Sequence, residues 1–241
     1  MTNEKRTVPR SRGAVRIRPE PDMMSALTPM SIRISMPPEL KPREAAMPDG
    51  NSRRWDSPFD GQGSNSVIKV FFTQPAYCRV YVHAAAEPEY EVGGALIGEW
   101  CADRETNTEF VVVEHLIPAR HTRQGSVYLT FTQDTIVTFH NELEKRYPNK
   151  KIVGWYHTHP KMGIFLSHYD TWLHNNFFPE PWQVALVVEP HSSTGGFFIR
   201  QANGLLNPTR YFGFYELNGN FGRSAVRWNN LNTVEESKEG V

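Results

Sequence analysis

After Lys151, the stretch Ile152-Val153-Gly154-Trp155-Tyr156 is an apolar run that ends in His157-Thr158-His159-Pro160. Such a run reads as a buried strand, and proline, with its fixed φ and no amide donor, ends it. Alternate strand residues share a face, so His157 and His159 present their imidazoles to one point from Cα atoms about 6 to 7 Å apart. That separation suits two ligands about 2 Å from one metal ion. Six residues after Pro160 come Ser167-His168-Tyr169-Asp170, which open a helix predicted over Ser167 to Phe177. A carboxylate is a common third ligand beside imidazoles. Asp170, in the first turn of that helix, can supply it, and three protein ligands leave a fourth tetrahedral position open, as catalytic sites do. Ser167-x-x-Asp170 also has the form of a capping box, although Glu or Gln is the usual fourth residue. A lone His-x-His is a weak signal, and the combination with Pro160, the loop and the helix start is what gives it weight.

The elements around this stretch alternate. Val67 to Phe72 reads as a strand, and Gln74 to about Pro88 as a helix with Tyr77, Val80, Tyr81 and Ala84 on a buried face. Glu91-Val92-Gly93-Gly94-Ala95-Leu96-Ile97-Gly98-Glu99-Trp100 reads as a junction leading into a buried strand, its glycines allowing close backbone approach. Glu109 to Ile117 is another strand, followed by a polar loop over 118–128 with Arg120, His121, Arg123 and Gln124. Thr132 to Tyr147 reads as an amphipathic helix capped by Thr132 or Asp134, with Ile136, Val137, Phe139, His140 and Leu143 on its apolar face. Strands over Trp182 to Val188, Gly196 to Arg200 and Arg210 to Tyr215 follow, with a turn at Asn203-Gly204. This order predicts an α/β fold, a mixed β-sheet flanked by helices, in a single domain over 66–222.

Residues 1–65 differ in character. Prolines at 9, 19, 21, 29, 37, 38, 42, 48 and 58 interrupt any helical period. A disordered or docking N-terminal extension is expected there. Ile32 to Met36 alternates like a short strand that could add to a sheet edge. Residues 223–241 read as a polar C-terminal tail. A formal net charge of zero gives no electrostatic reason to expect nucleic acid or an acidic membrane surface. No apolar run approaches the ~20 residues of a membrane span. Cys78 and Cys101 make no disulfide framework, so a cytoplasmic location is expected.

His157-Thr158-His159-Pro160, six residues, then Ser167-His168-Tyr169-Asp170 resembles the signature of the JAMM (MPN-plus, JAB domain) metalloprotease family. That family also carries an upstream glutamate heading a Gly-containing segment, and Glu91 to Gly98, after a helix ending His83-Ala84-Ala85-Ala86, matches it. The resemblance covers about residues 67–215. It implies a cytidine-deaminase-like sheet and one Zn2+ per chain held by His157, His159 and Asp170. It also implies Glu91 as general acid/base, moving a proton from the attacking water to the leaving amine, and Ser167 as the oxyanion donor. A Ser167 that also caps its helix is expected not to serve both tasks fully. Glu99, taken to follow the strand, and Glu89, off the glycine register, are set aside. Trp172, His174, Phe177 and Phe178 lie where such enzymes carry substrate-contacting insertions, although aromatics at helical spacing more often pack in a core. His115, His121, His140 and His191 lack ligand spacing. The implied substrate is a ubiquitin-like protein or its conjugate, cleaved after its C-terminal tail. The short build resembles prokaryotic members, some similar to proteases of antiphage conjugation systems, where E1-like and E2-like proteins would be partners. Processing of a sulfur-carrier adduct and a non-catalytic MPN scaffold are the alternatives.

Overall fold

The structure is a computed structural model that describes residues 40–61, 68–120, 123–125, 128–217 and 223–234. From Lys41 on, the described residues form one compact unit. That unit contains β1 (Arg43–Glu44), β2 (Ser52–Asp56), β3 (Lys69–Thr73), α1 (Gln74–Ala86), β4 (Gly93–Asp103) and β5 (Thr108–Pro118). It continues with β6 (Arg123–Gly125), β7 (Tyr128–Thr130), α2 (Gln133–Arg146), β8 (Lys151–Thr158) and α3 (His168–Phe177). The last strands are β9 (Val184–Glu189), β10 (Thr194–Phe198), β11 (Phe214–Leu217) and β12 (Asn232–Thr233).

Ten strands form one mixed sheet in the order β10-β9-β8-β4-β5-β3-β11-β2-β12, with β1 paired to β4. β4 runs antiparallel to β5 and β8, whereas β8 and β9 are parallel. β8 is therefore central and buried along nearly its whole length, as its apolar composition requires. Its successive residues feed two cores. Tyr156 joins Phe72, Tyr77 and Val80 on the α1 side, and Trp155 joins Phe139, Leu173 and Phe178 on the α2 and α3 side. Gly154 lies between them where a Cβ would stand 2.1 Å from the Val184 carbonyl oxygen, so no larger residue fits between β8 and β9.

The expected helices and most strands form close to their predicted bounds, but the strand expected over Arg210 to Tyr215 is displaced to Phe214–Leu217, with a single bridge at Phe212 before it. The Asn203-Gly204 turn closes with a Gly204 N–H to Gln201 oxygen bond of 2.8 Å. On α2, Thr132 is the cap. Phe139 is buried at the centre of the packed face, whereas Val137 and His140, assigned to that face from sequence, are exposed. At 100° per residue His140 lies about 100° and Val137 about 160° round the helix from Phe139, both off the packed stripe. The polar loop after β5 contains the β6–β7 hairpin.

Two outer segments enter the fold where the sequence suggested an extension and a tail. β2 pairs antiparallel with β11, and β1 adds to β4. Ile32 to Met36 lies outside the described residues. At the other end Val226, Trp228 and Leu231 are buried in the α1-side core, and β12 pairs with β2. Glu216 fastens this return. Its buried carboxylate accepts hydrogen bonds from Trp55 Nε1 at 3.1 Å, Gln74 Nε2 at 2.8 Å, Ser224 Oγ at 2.7 Å and the Ala225 N–H at 2.7 Å. The apolar residues of the tail are too sparse to show a period, and their partners are distant in sequence. Trp228 packs edge-on to Tyr77 and Phe214. Trp228→Ala is therefore expected to cost about 3–5 kcal/mol in urea unfolding. A loss under about 0.5 kcal/mol, as for an ordinary surface position, would return the segment to the status of a loose tail.

Candidate metal centre

The β8 ladder continues past the last strand residue. The Thr158 N–H donates to the Val92 oxygen at 2.8 Å, and the His159 N–H to the Val188 oxygen at 2.9 Å. The backbone that carries the histidines is thus held from both sides, with His157 itself in register with Gly93 and Val187. Pro160 then stops the strand, and Lys161 and Gly163, at φ of 62° and 86°, reverse the chain through left-handed positions. Leu166 is anchored to the Pro208 oxygen at 2.8 Å. Ser167 caps α3, its Oγ accepting from the Asp170 N–H at 3.1 Å, while the Asp170 carboxylate accepts from the Ser167 N–H at 2.7 Å.

This turn brings the three side chains together. His157 Nε2 and His159 Nε2 are 2.8 Å apart. Asp170 places Oδ1 at 3.3 Å from His157 Nε2 and Oδ2 at 3.6 Å from His159 Nε2. All three residues are buried. Burial alone would raise the Asp170 carboxyl, but the neighbouring imidazoles and Ser167 outweigh it and hold the group well below the ordinary carboxylate range. The site therefore keeps an anion and two neutral-capable nitrogens on one point. Donors about 2.0–2.1 Å from a tetrahedral ion lie roughly 3.3 Å from one another. The observed separations bracket that value, so the donor set fits a zinc-sized cation.

Stacking holds the imidazole planes. His157 lies flat on Trp155 with centroids 4.7 Å apart and planes at 14°, and His159 packs against Phe165 at 4.7 Å. Neither Nδ1 has a hydrogen-bond partner among the described residues. Behind the stack, Trp155 Nε1 lies 3.1 Å from His174 Nδ1, and the Arg200 guanidinium closes the other side of that imidazole. Burial and Arg200 lower the His174 pKa to about 3, so it is neutral at working pH. His174 is one helical turn from Asp170, which was the available sequence signal for its facing inward; its contact with Trp155 is long-range and had none. The aromatic segment divides accordingly. Phe178 is core, whereas Trp172 is 47% exposed and stacks on Tyr169.

Glu91 is buried just before β4. The β4–β8 register pairs Gly93 with His157. Continued by two residues, it sets Glu91 across from His159. Thr158 fixes this approach: its hydroxyl accepts the Val92 N–H at 2.9 Å and donates to the Tyr90 oxygen at 3.3 Å, spanning Glu91. Sequence reading assigned no role to Thr158. Glu89 pairs at the surface with Lys161 at 2.9 Å. Glu99 lies within β4 rather than after it, and engages Arg43 and Lys150. His115 stacks on Tyr147, His191 bonds the Pro88 oxygen and His140 is exposed, while His121 lies outside the described residues.

A mixed sheet with helices against it and a His-His-Asp cluster at the end of a central strand thus defines an α/β domain with a candidate metal centre. Residues 65–178 match the family described as JAB1/Mov34/MPN/PAD-1 ubiquitin protease, so this segment is consistent with a JAB/MPN domain. COP9 signalosome complex subunit 5 of Caenorhabditis elegans is 30% identical over 145 residues, covering 58% of this chain and 36% of that protein. The 26S proteasome non-ATPase regulatory subunit 14 of Drosophila melanogaster is 27% identical over 154 residues, 63% of this chain and 48% of that one. NAD(+) hydrolase TcpA of Theionarchaea archaeon (strain DG-70-1) is 32% identical over 83 residues, 34% of this chain and 25% of that protein. The chain spans less than half the length of each of these relatives. No helix among the described residues is long and apolar enough to cross a membrane.

Proposed function

We propose that this protein is a zinc-dependent peptidase or isopeptidase that cleaves after the C-terminal tail of a ubiquitin-like protein. The observation that carries the reading is the meeting of His157, His159 and Asp170 beside Ser167, and it is supported by the β4–β8 register, which when extended sets Glu91 across from His159. His157, His159 and Asp170 would hold one zinc per chain. Zinc bound there supplies Lewis acidity, which makes water a better nucleophile and polarises a carbonyl. Glu91 takes the proton of the attacking water and delivers it to the leaving amine. The ubiquitin-like substrate class is supported by the family's description and by relatives named for the COP9 signalosome and the proteasome. Within it, a conjugation system with E1-like and E2-like proteins, of the antiphage kind, is the setting we favour.

Ser167 donates its hydroxyl proton to the developing oxyanion. Its capping role does not compete, because the cap uses an oxygen lone pair and a hydroxyl also has a proton to give. Ser167→Ala is expected to lower turnover by ~10²–10³ and stability by about 1 kcal/mol. Ser167→Asp, which keeps a capping oxygen but has no proton to donate, should lose turnover while keeping most of the stability. Equal turnover of the two variants and the parent would remove Ser167 from the chemistry.

The function is tested by incubating the zinc-loaded chain with ubiquitin-like domains ending in Gly-Gly, joined to a reporter through a peptide or an isopeptide bond. Mass spectrometry should find the mature Gly-Gly terminus. Release of a sulfur-carrier terminus instead would shift the substrate class, and full zinc occupancy without cleavage of any member would favour the scaffold reading.

A further inference from the structure

A second concave surface lies between α1 and the C-terminal end of α2, a groove of about 800 Å³. None of its lining residues belongs to the metal centre. It arises from the sheet itself. β3 pairs with β5 only as far as Val113, because the chain turns at Thr73 into α1. Beyond that point β5 has β4 on one side and, among the described residues, no strand on the other. A free strand edge presents alternate unpaired N–H and C=O groups, a template for another extended chain. Val82, Leu116 and Pro118 give the groove an apolar lining.

Its charge is one-sided. Arg79 comes from α1, Arg120 follows β5, and Arg146 ends α2. Arg146 meets Glu142 at 3.5 Å, but no carboxylate among the described residues pairs with Arg79 or Arg120. The lining itself holds three arginines and no carboxylate. Burial pushes the His115 imidazole below its usual pKa, with Glu114 opposing and Arg79, Lys150 and Arg146 adding to the shift. His115 lies flat against Tyr147, with centroids 4.4 Å apart, and both rings line the groove.

We propose that this groove binds an acidic, extended segment of a partner protein, which adds as a strand to the free edge of β5 while its carboxylates meet Arg79, Arg120 and Arg146. A small anion would satisfy one guanidinium and leave the strand edge and the apolar lining unused. A peptide uses all three features, the edge for backbone hydrogen bonds and alternate side chains for the arginines. The inference does not depend on the metal site or on catalysis.

The test is fluorescence anisotropy of the full-length chain with a labelled octapeptide of alternating Glu and Val. The same peptide with Lys for Glu, and one N-methylated at alternate amides, serve as controls. The Glu peptide is expected to bind with Kd below about 100 μM. N-methylation, or Arg79→Glu with Arg120→Glu, should weaken binding roughly tenfold or more, with the circular dichroism spectrum and melting midpoint unchanged. Should the double variant fail to fold, Arg120→Gln alone is expected to give a measurable loss of at least about threefold. No binding at about 1 mM, equal binding of the Lys peptide, or indifference to N-methylation would each overturn the proposal. So would full displacement of the peptide by inorganic phosphate at equal concentration, which would identify an anion site only.

Discussion

Glu91→Gln is expected to lower cleavage of a ubiquitin-like fusion by about 10²–10⁴-fold, the range for loss of a positioned general acid/base. The amide is nearly isosteric with the carboxyl and cannot accept the proton. Glu91 is not one of the three clustered ligand candidates, so zinc content and melting midpoint should match the parent. Steady-state kinetics beside zinc quantitation separates the outcomes. Undiminished turnover removes Glu91 as the base, and lost zinc makes it a ligand instead. Thr158 gives a companion measurement, because its hydroxyl spans Glu91 through Val92 and Tyr90. Thr158→Val should lower kcat with zinc retained, since the backbone carrying Glu91 loses its anchor while the imidazoles stay in place.

His159→Ala is expected to abolish tight zinc binding and, with it, the stabilisation that zinc confers. A cation that binds only the folded chain adds about 4 kcal/mol at a thousand times its Kd, and the parent should show this as a raised melting midpoint. The variant should show none, because two remaining ligands do not close a zinc site. Its own fold is expected to survive. His159 lies beyond the last residue of β8, and its backbone bond to the Val188 oxygen does not involve the side chain. Calorimetry with and without zinc, or with chelator added to the parent, reads the difference. A parent that binds no zinc overturns the metal reading, and a variant that binds as tightly as the parent moves the site elsewhere.

The β8 stretch was legible because its information is local. The apolar run Ile152 to Tyr156 followed by His-x-His-Pro dictates a buried strand with two side chains on one face, and the Ser167 to Asp170 spacing dictates a helix start. The position of Asp170 against the imidazoles was likewise readable, since a short turn joins strand to helix. Glu91 was less so. Its place across from His159 depends on the antiparallel pairing of β4 with β8, and nothing near residue 91 records that register.

The outer segments escaped for a related reason. Trp55, Trp228 and Leu231 stand among polar neighbours and show no period of their own. They become core only because β11, β2 and β12 are laid side by side and Glu216 ties them together. By itself, then, the sequence determined the main helices and strands, their combination in a mixed sheet flanked by helices, and the spacing that lets two histidines and an aspartate meet. Tertiary structure alone decided which remote segment faces the pair, what stacks behind His157, and where β3 departs to leave an edge of β5 open. Side-chain periodicity acts over a few residues and is written locally. Strand register and core closure bring together groups as far apart in the chain as Trp55 and Glu216, and only the folded sheet specifies them.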